Sequence, residues 1–251
     1  SREPSGNSRE PSGNSREPSG NSPVKRALRW SALAWLALCL MGHLSSGAPT
    51  ASEEPGASVR LMRAPLPSAL GWIAQHYWFA TRSDDEAFAR WEVWQTANQG
   101  GKSWGHVHKG LFAWDAGVGG GPAEFVHEWR GAEAEKFLAC IEEAGPNYDD
   151  RETYRAWPGP NSNTFVDAML RECELRWTLD GTGIGKDYRG LVGASLTAGG
   201  TGVQVETPLV GILLGLDEGV QVHALALTIG IDVWPPAILT PIGDGRFGFA
   251  E

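Results

Sequence analysis

Residues 30–44, Trp-Ser-Ala-Leu-Ala-Trp-Leu-Ala-Leu-Cys-Leu-Met-Gly-His-Leu, contain no acidic residue, Lys or Arg and stand behind Lys25, Arg26 and Arg29. Such a run has to be covered by lipid or protein, so it divides the chain into a leading part and a following domain. A basic start, about fifteen apolar residues and then small residues mark an export signal, whereas a spanning helix wants about twenty. The small residues are Ser45, Ser46, Gly47 and Ala48, with Thr50, Ala51 and Ser52 as a second zone. Residues 23–52 therefore read as a signal peptide or, if uncleaved, an anchor. The protein is expected to be exported, periplasmic or membrane-anchored facing the periplasm. Cys39 follows Leu38, where lipid attachment would want a small residue, so no lipoprotein is expected. Residues 1–22 repeat Ser-Arg-Glu-Pro-Ser-Gly-Asn and offer nothing to bury, which predicts disorder. Residues 53–67, rich in Pro, Gly and Ser, read as a linker, and residues 68–251 as a single α+β domain.

A formal net charge of −9 without a basic patch excludes a nucleic-acid backbone as partner. The twelve tryptophans read as core packing, with a ligand-stacking surface as the alternative. Export would permit one disulfide between Cys140 and Cys173. Each, however, continues an apolar helical stripe, Cys140 beside Phe137 and Ile141, Cys173 after Phe165 and Met169, so two buried free thiols are expected.

Alternation predicts strands over residues 76–81 and 90–95 across a polar turn at Ser83, Asp84 and Asp85, with further strand character at 104–111 and 124–129. A helix is predicted over 132–144, stopped by Gly145 and Pro146, and a second over 163–176. Residues 201–216 and 219–233 read as two long strands of a glycine-rich C-terminal β-hairpin region. Residues 209–214 are apolar on both faces, which predicts packing into a core.

The sharpest local feature is Trp157-Pro158-Gly159-Pro160-Asn161-Ser162-Asn163-Thr164-Phe165-Val166, which sets a hydroxyl at a helix start. Unpaired N–H groups and the positive dipole end there suit a developing oxyanion. Ser, Asn and Thr are equally the preferred caps, and Thr164 with Asp167 has a weak capping-box spacing. This segment, together with Arg130-Gly131-Ala132-Glu133-Ala134-Glu135, Ile184-Gly185-Lys186-Asp187-Tyr188, and Ile229-Gly230-Ile231-Asp232 followed by Pro235-Pro236-Ala237, resembles the bacterial domain-of-unknown-function family numbered 3750. The resemblance covers most of residues 70–250 and implies no activity.

More distantly, the chain resembles circularly permuted papain-like enzymes of the lecithin retinol acyltransferase group. In them a strand-opening His precedes an Asn-Cys-x-x-Phe helix start; here His76 precedes Asn161-Ser162-Asn163-Thr164-Phe165. The resemblance implies a small antiparallel sheet with two helices. It makes Ser162 the nucleophile in place of cysteine, His76 the base and Glu92 the orienter of the imidazole. Asn161, Asn163 and Trp157 become substrate contacts, in a cleft lined by Trp78, Trp94 and Trp157. His76 also suits a structural role at a strand start, and Glu92 a solvated one between Trp91 and Val93. His106-Val107-His108, with His127 and Glu128, is a weaker constellation, and no metal or other cofactor is expected.

Two functions remain open on these grounds. One is a hydrolase or acyltransferase acting on an amide or ester in the envelope. The other is a non-catalytic envelope protein binding a peptide, glycan or lipid in the same cleft, with membrane contact through the N-terminal segment if uncleaved.

Overall fold

The structure, a computed structural model, describes residues 23–84 and 86–249, so the N-terminal repeat and Asp85 of the expected turn lie outside the described residues. The apolar segment forms helix α1, Pro23–Ser45, whose mean hydropathy of 1.3 and length suffice to cross a membrane, as they do for a signal sequence. The chain then builds an antiparallel sheet from β1 (Ser58–Pro65), β2 (Gln75–Arg82), β3 (Ala89–Val93), β4 (Lys102–Trp104), β5 (Val107–Lys109) and β6 (Glu124–Arg130). Their order across the sheet is β4-β5-β3-β2-β1-β6. Helices α2 (Ala132–Ala144) and α3 (Ser162–Glu172) cover one face.

Strand alternation sorts β2 into two buried sets. Tyr77 and Phe79 join Leu61, Phe137 and Phe165 on the helix side, where the Phe79 and Phe137 rings lie 4.7 Å apart. Trp78 and Ala80 join Met62 and Ala64 on the other side, under Phe88, Trp114 and Phe125. Burial on both faces makes β2 the most enclosed strand of this sheet and the natural scaffold for a site.

Residues 58–65 correct the linker reading, because β1 is a buried strand hydrogen-bonded to both β2 and β6. Its arginines obscured it. Arg60 meets Glu128 at 3.1 Å and lies over the Phe88 ring, and Arg63 meets Glu124 at 3.0 Å, so charges that read as loop are neutralised across the sheet. Cys140 and Cys173 are likewise not free thiols: a disulfide joins α2 to the residue after α3. Each lies on an apolar helix face, as expected, but the meeting of those faces is a tertiary fact.

Residues 193–248 form a second antiparallel sheet, a meander of β7 (Gly193–Leu196), β8 (Gly202–Glu206), β9 (Val210–Gly215), β10 (Val220–Ala224), β11 (Leu227–Asp232), β12 (Ala237–Leu239) and β13 (Arg246–Gly248). The two long strands expected here each break in two. Pro208 lies in the first break, and Leu225 and Ala226 turn the second with φ of 54° and 61°. The expected core packing of residues 209–214 holds for one face alone: Gly211 and Leu213 are buried, Val210, Ile212 and Leu214 exposed. The chain is thus an α+β protein with two antiparallel sheets and three α-helices among the described residues.

Candidate functional site

Strands β2 and β3 pair only from Phe79 opposite Trp91 to Thr81 opposite Ala89. Beyond Phe79 they splay, which leaves residues 75–77 of β2 without a strand partner on that side. The start of α3 fills the opening. Asn163 donates from Nδ2 to the Gln75 carbonyl at 2.9 Å and accepts the Tyr77 N–H at 3.0 Å, the bonds a neighbouring strand would otherwise make around His76. This clamp docks the start of α3 against the strand segment that carries His76.

The His76 Nε2 lies 3.0 Å from Glu92 Oε2, so the residue expected to orient the imidazole does reach it. Glu92 in turn accepts from Arg90 at 2.7 Å, and all three side chains are buried. Burial pulls the Arg90 guanidinium below its ordinary range, against the opposing pull of Glu92. Arg90 is also held over the Trp78 ring at 3.8 Å and bonded to the Ala116 carbonyl at 2.6 Å. Trp78 and Trp94 flank the imidazole at ring distances of 5.8 and 5.5 Å. The His76 Nδ1 makes no hydrogen bond among the described residues; in the tautomer whose Nε2 donates to the carboxylate, Nδ1 is an acceptor.

Ser162 is the first residue of α3, and Asn161 is the cap. The capping box pairs Asn161 with Thr164, not Thr164 with Asp167. The Ile184-Gly185 loop closes over it, receiving bonds from Asn161, Asn163 and Thr164. Gly185, at φ +91°, is required there because a Cβ would stand 2.2 Å from the Asn161 Nδ2. Asn161 and Asn163, expected as substrate contacts, are both engaged with the protein itself. Each amide already uses both N–H groups and both acceptor positions, Asn161 on Ala156, Ile184, Asn163 and Thr164, and Asn163 on Gln75, Ile184, Tyr77 and Ser162. Trp157 is half exposed, and its Nε1 donates to the carbonyl of Leu225, in the turn between β10 and β11.

The Ser162 hydroxyl makes a long 3.4 Å bond to Asn163 Oδ1 and none to His76, and Ser162 is 5% exposed. In the first turn, Asn161 consumes the N–H groups of Asn163 and Thr164. Ser162's own N–H has no acceptor among the described residues and is the donor left for an oxyanion. Cavities of about 510 and 670 Å³ open elsewhere, against Tyr148 and Arg171, and between the end of α1 and Trp177.

The histidines of the weaker constellation are engaged with the protein. His108 bonds Ser103 and the Thr96 carbonyl, His106 bonds the Trp94 carbonyl, and His127 stacks on Trp177 at 4.2 Å. A buried group that sequence reasoning missed is Asp187, Glu206 and His223, whose ligand-type atoms lie within 4.8 Å of one another. Lys186 and Gln204 donate into it, at 2.8 Å to Asp187 and 2.9 Å to Glu206, so the negative charge is already met by protein donors. Burial acts upward on the Asp187 carboxyl, but Lys186 and His223 together hold it below the usual range.

An α+β domain in which a helix start docks on a histidine-bearing strand is the class that the fold and site define. The family model for a protein of unknown function, DUF3750, matches residues 56–188, more than half the chain, and the chain belongs to that family. The match takes in β1, the His76 region and the Asn-Ser-Asn helix start, and it ends before the second sheet, short of the tail expected to share the resemblance. No curated protein and no solved structure matches the chain.

Proposed function

We propose that the protein is an exported, membrane-associated acyl hydrolase or acyltransferase of the permuted papain-like kind, with Ser162 as nucleophile, His76 as base and Glu92 as orienter. The observation that carries this reading is the imidazole itself. Its Nε2 is held by a buried Glu92–Arg90 pair, and the strand segment that carries it is locked by Asn163 to the helix start that bears Ser162. In the reaction, the Ser162 hydroxyl proton passes to His76 Nδ1 as Oγ attacks the carbonyl carbon. The protonated imidazole then gives that proton to the leaving group, and water or a second acceptor releases the acyl group. Arg90 holds Glu92 facing Nε2, which leaves Nδ1 as the nitrogen that takes and returns the proton.

The test is covalent labelling with a fluorophosphonate probe: the wild type labels, Ser162→Ala does not, and His76→Ala labels far more slowly. A folded wild type that does not label rejects the enzyme reading. A second reading, a non-catalytic binding protein, is favoured by the near-complete burial of Ser162 and by the position of the larger cavities away from it.

A further inference from the structure

The second sheet is turned inside out relative to an ordinary soluble sheet. The ladder registers align Leu196, Val203, Leu214, Val220, Ile231, Ile238 and Phe247 in one row across all seven strands. A neighbouring row is Ala194, Val205, Ile212, Val222 and Ile229. From β7 to β11 every outward position in these rows is apolar, and the large ones are between 43% and 64% exposed. The inward positions of the same strands carry Gln204, Glu206, Gln221, His223, Thr228 and Asp232, all nearly fully buried. An unbroken apolar face across five strands exceeds what a monomeric protein leaves to water.

The far edge of this face already has an occupant. The first row ends at Phe247, whose ring lies 4.5 Å from that of His43 near the end of α1, and Gly42 sits so close to Phe249 that a Cβ would meet its ring at 2.5 Å. Elsewhere α1 is itself unburied, with Leu28, Trp30, Leu33 and Met41 exposed, and it is long and apolar enough to enter a bilayer. Helix and sheet therefore present one continuous apolar surface. Indoles stand at both ends of β11: Trp157 is bonded to Leu225 at one, and Trp234 is exposed past the other, where amphipathic rings favour a membrane interface. Strands of five or six residues are too short to span, since crossing takes about nine to eleven.

We propose that the outward face of the second sheet lies on the lipid bilayer that α1 enters, seated in one leaflet beside the helix. The outward side chains contact acyl chains, and the polar inward face remains bonded to the Lys186 and Arg189 region of the first domain. The placement stands independently of any reaction at Ser162.

The experiment uses the full chain with Cys39→Ser, so that a single introduced cysteine carries an environment-sensitive nitrobenzoxadiazole label. The label is placed at Ile212→Cys or Val222→Cys on the face, Leu33→Cys on α1, or Lys102→Cys on the first sheet. Each variant is reconstituted in phosphatidylcholine vesicles, with nitroxide on the acyl chains or iodide in the water as quencher. Labels at 212 and 222 are expected to shift to the blue and lose most of their emission to the lipid nitroxide, as at 33, and little to iodide. The label at 102 should do the reverse. Quenching of 33 by lipid with 212 and 222 open to iodide overturns the proposal, because α1 alone then anchors the protein. Protection of 212 and 222 from both quenchers, strengthening with protein concentration, overturns it in favour of a second copy on the face.

Discussion

The two sheets obey the same alternation and give it opposite signs. In the first, the helix-covered face buries Leu61, Phe79 and Trp91, and its charged residues find cross-strand partners such as Arg60 with Glu128. In the second, the buried face holds carboxylates, amides and an imidazole beside Leu213, Ala237 and Leu239, and most of the large apolar side chains face outward. The polar face is not idle. Arg189 reaches Asp167 at 2.8 Å and Gln204 at 3.0 Å, Lys186 reaches Gln221 at 3.3 Å, and Thr228 reaches Asp187 at 3.0 Å, so the second sheet is joined to the first domain by hydrogen bonds and ion pairs. Gly211 shows how closely this interior is fitted, since a Cβ there would collide with the Glu206 carboxylate. A period of two therefore reports that a strand has two unlike faces, and the surroundings decide which of them is covered by protein.

If the first domain is the conventional apolar core, Phe137→Ala should cost about 3–5 kcal/mol by chemical denaturation in detergent, the largest effect expected. A loss under 1 kcal/mol would place the stability elsewhere. Close behind comes the disulfide, which closes a loop of 33 residues in sequence separation. Removing it with Cys140→Ala and Cys173→Ala together should cost about 3–4 kcal/mol on the chain-entropy estimate, and reducing agent should reproduce that loss in the wild type. In the second sheet the stabilising contacts are polar: Glu206→Gln, which weakens the bonds from His223 and Gln204, should cost about 1–3 kcal/mol. Equal stability of this variant would show the polar interior to be slack.

The pH dependence discriminates in the same way. Burial pushes the Asp232 carboxyl up to about 6 against the opposing Arg246, and burial pushes Asp167 up to about 6 as well. A folded-state value above the unfolded one means that the native state holds the proton more tightly. These groups therefore add stability that is present at low pH and lost as pH rises from about 3.8 to about 6. The protein should melt higher at pH 5 than at pH 7, by on the order of 1 kcal/mol per group, and Asp232→Asn should shrink the difference. The smallest effect is expected for Ile212→Ala on the outward face, within about 0.5 kcal/mol in detergent. A core-sized loss there would mean that protein covers the face.

Much of the first sheet was legible in order and type. Residues 132–144 carry a stripe, an acidic first turn and a glycine stop, and they form α2 as read. The region of His76 and Glu92 was legible as strands, and the contact between the two side chains follows from their placement on adjacent strands of one face. The partners of Asn161 and Asn163 were not legible, because a side-chain amide offers the same atoms to a substrate or to a backbone. Only the splay of β2 from β3 and the passage of the Ile184-Gly185 loop decide that both amides are saturated. β1 was missed because its partners for Arg60 and Arg63 lie more than fifty residues away.

The amino-acid sequence alone therefore determined the apolar N-terminal segment, most of the helices and strands, and a helix start bearing Ser162, since these rest on periodicity and capping among neighbouring residues. Tertiary structure decided the disulfide, the central place of β1, the saturation of the two asparagines and the outward turn of the second sheet's apolar face. Each of these depends on which distant surface a residue meets, and a local pattern contains no information about that.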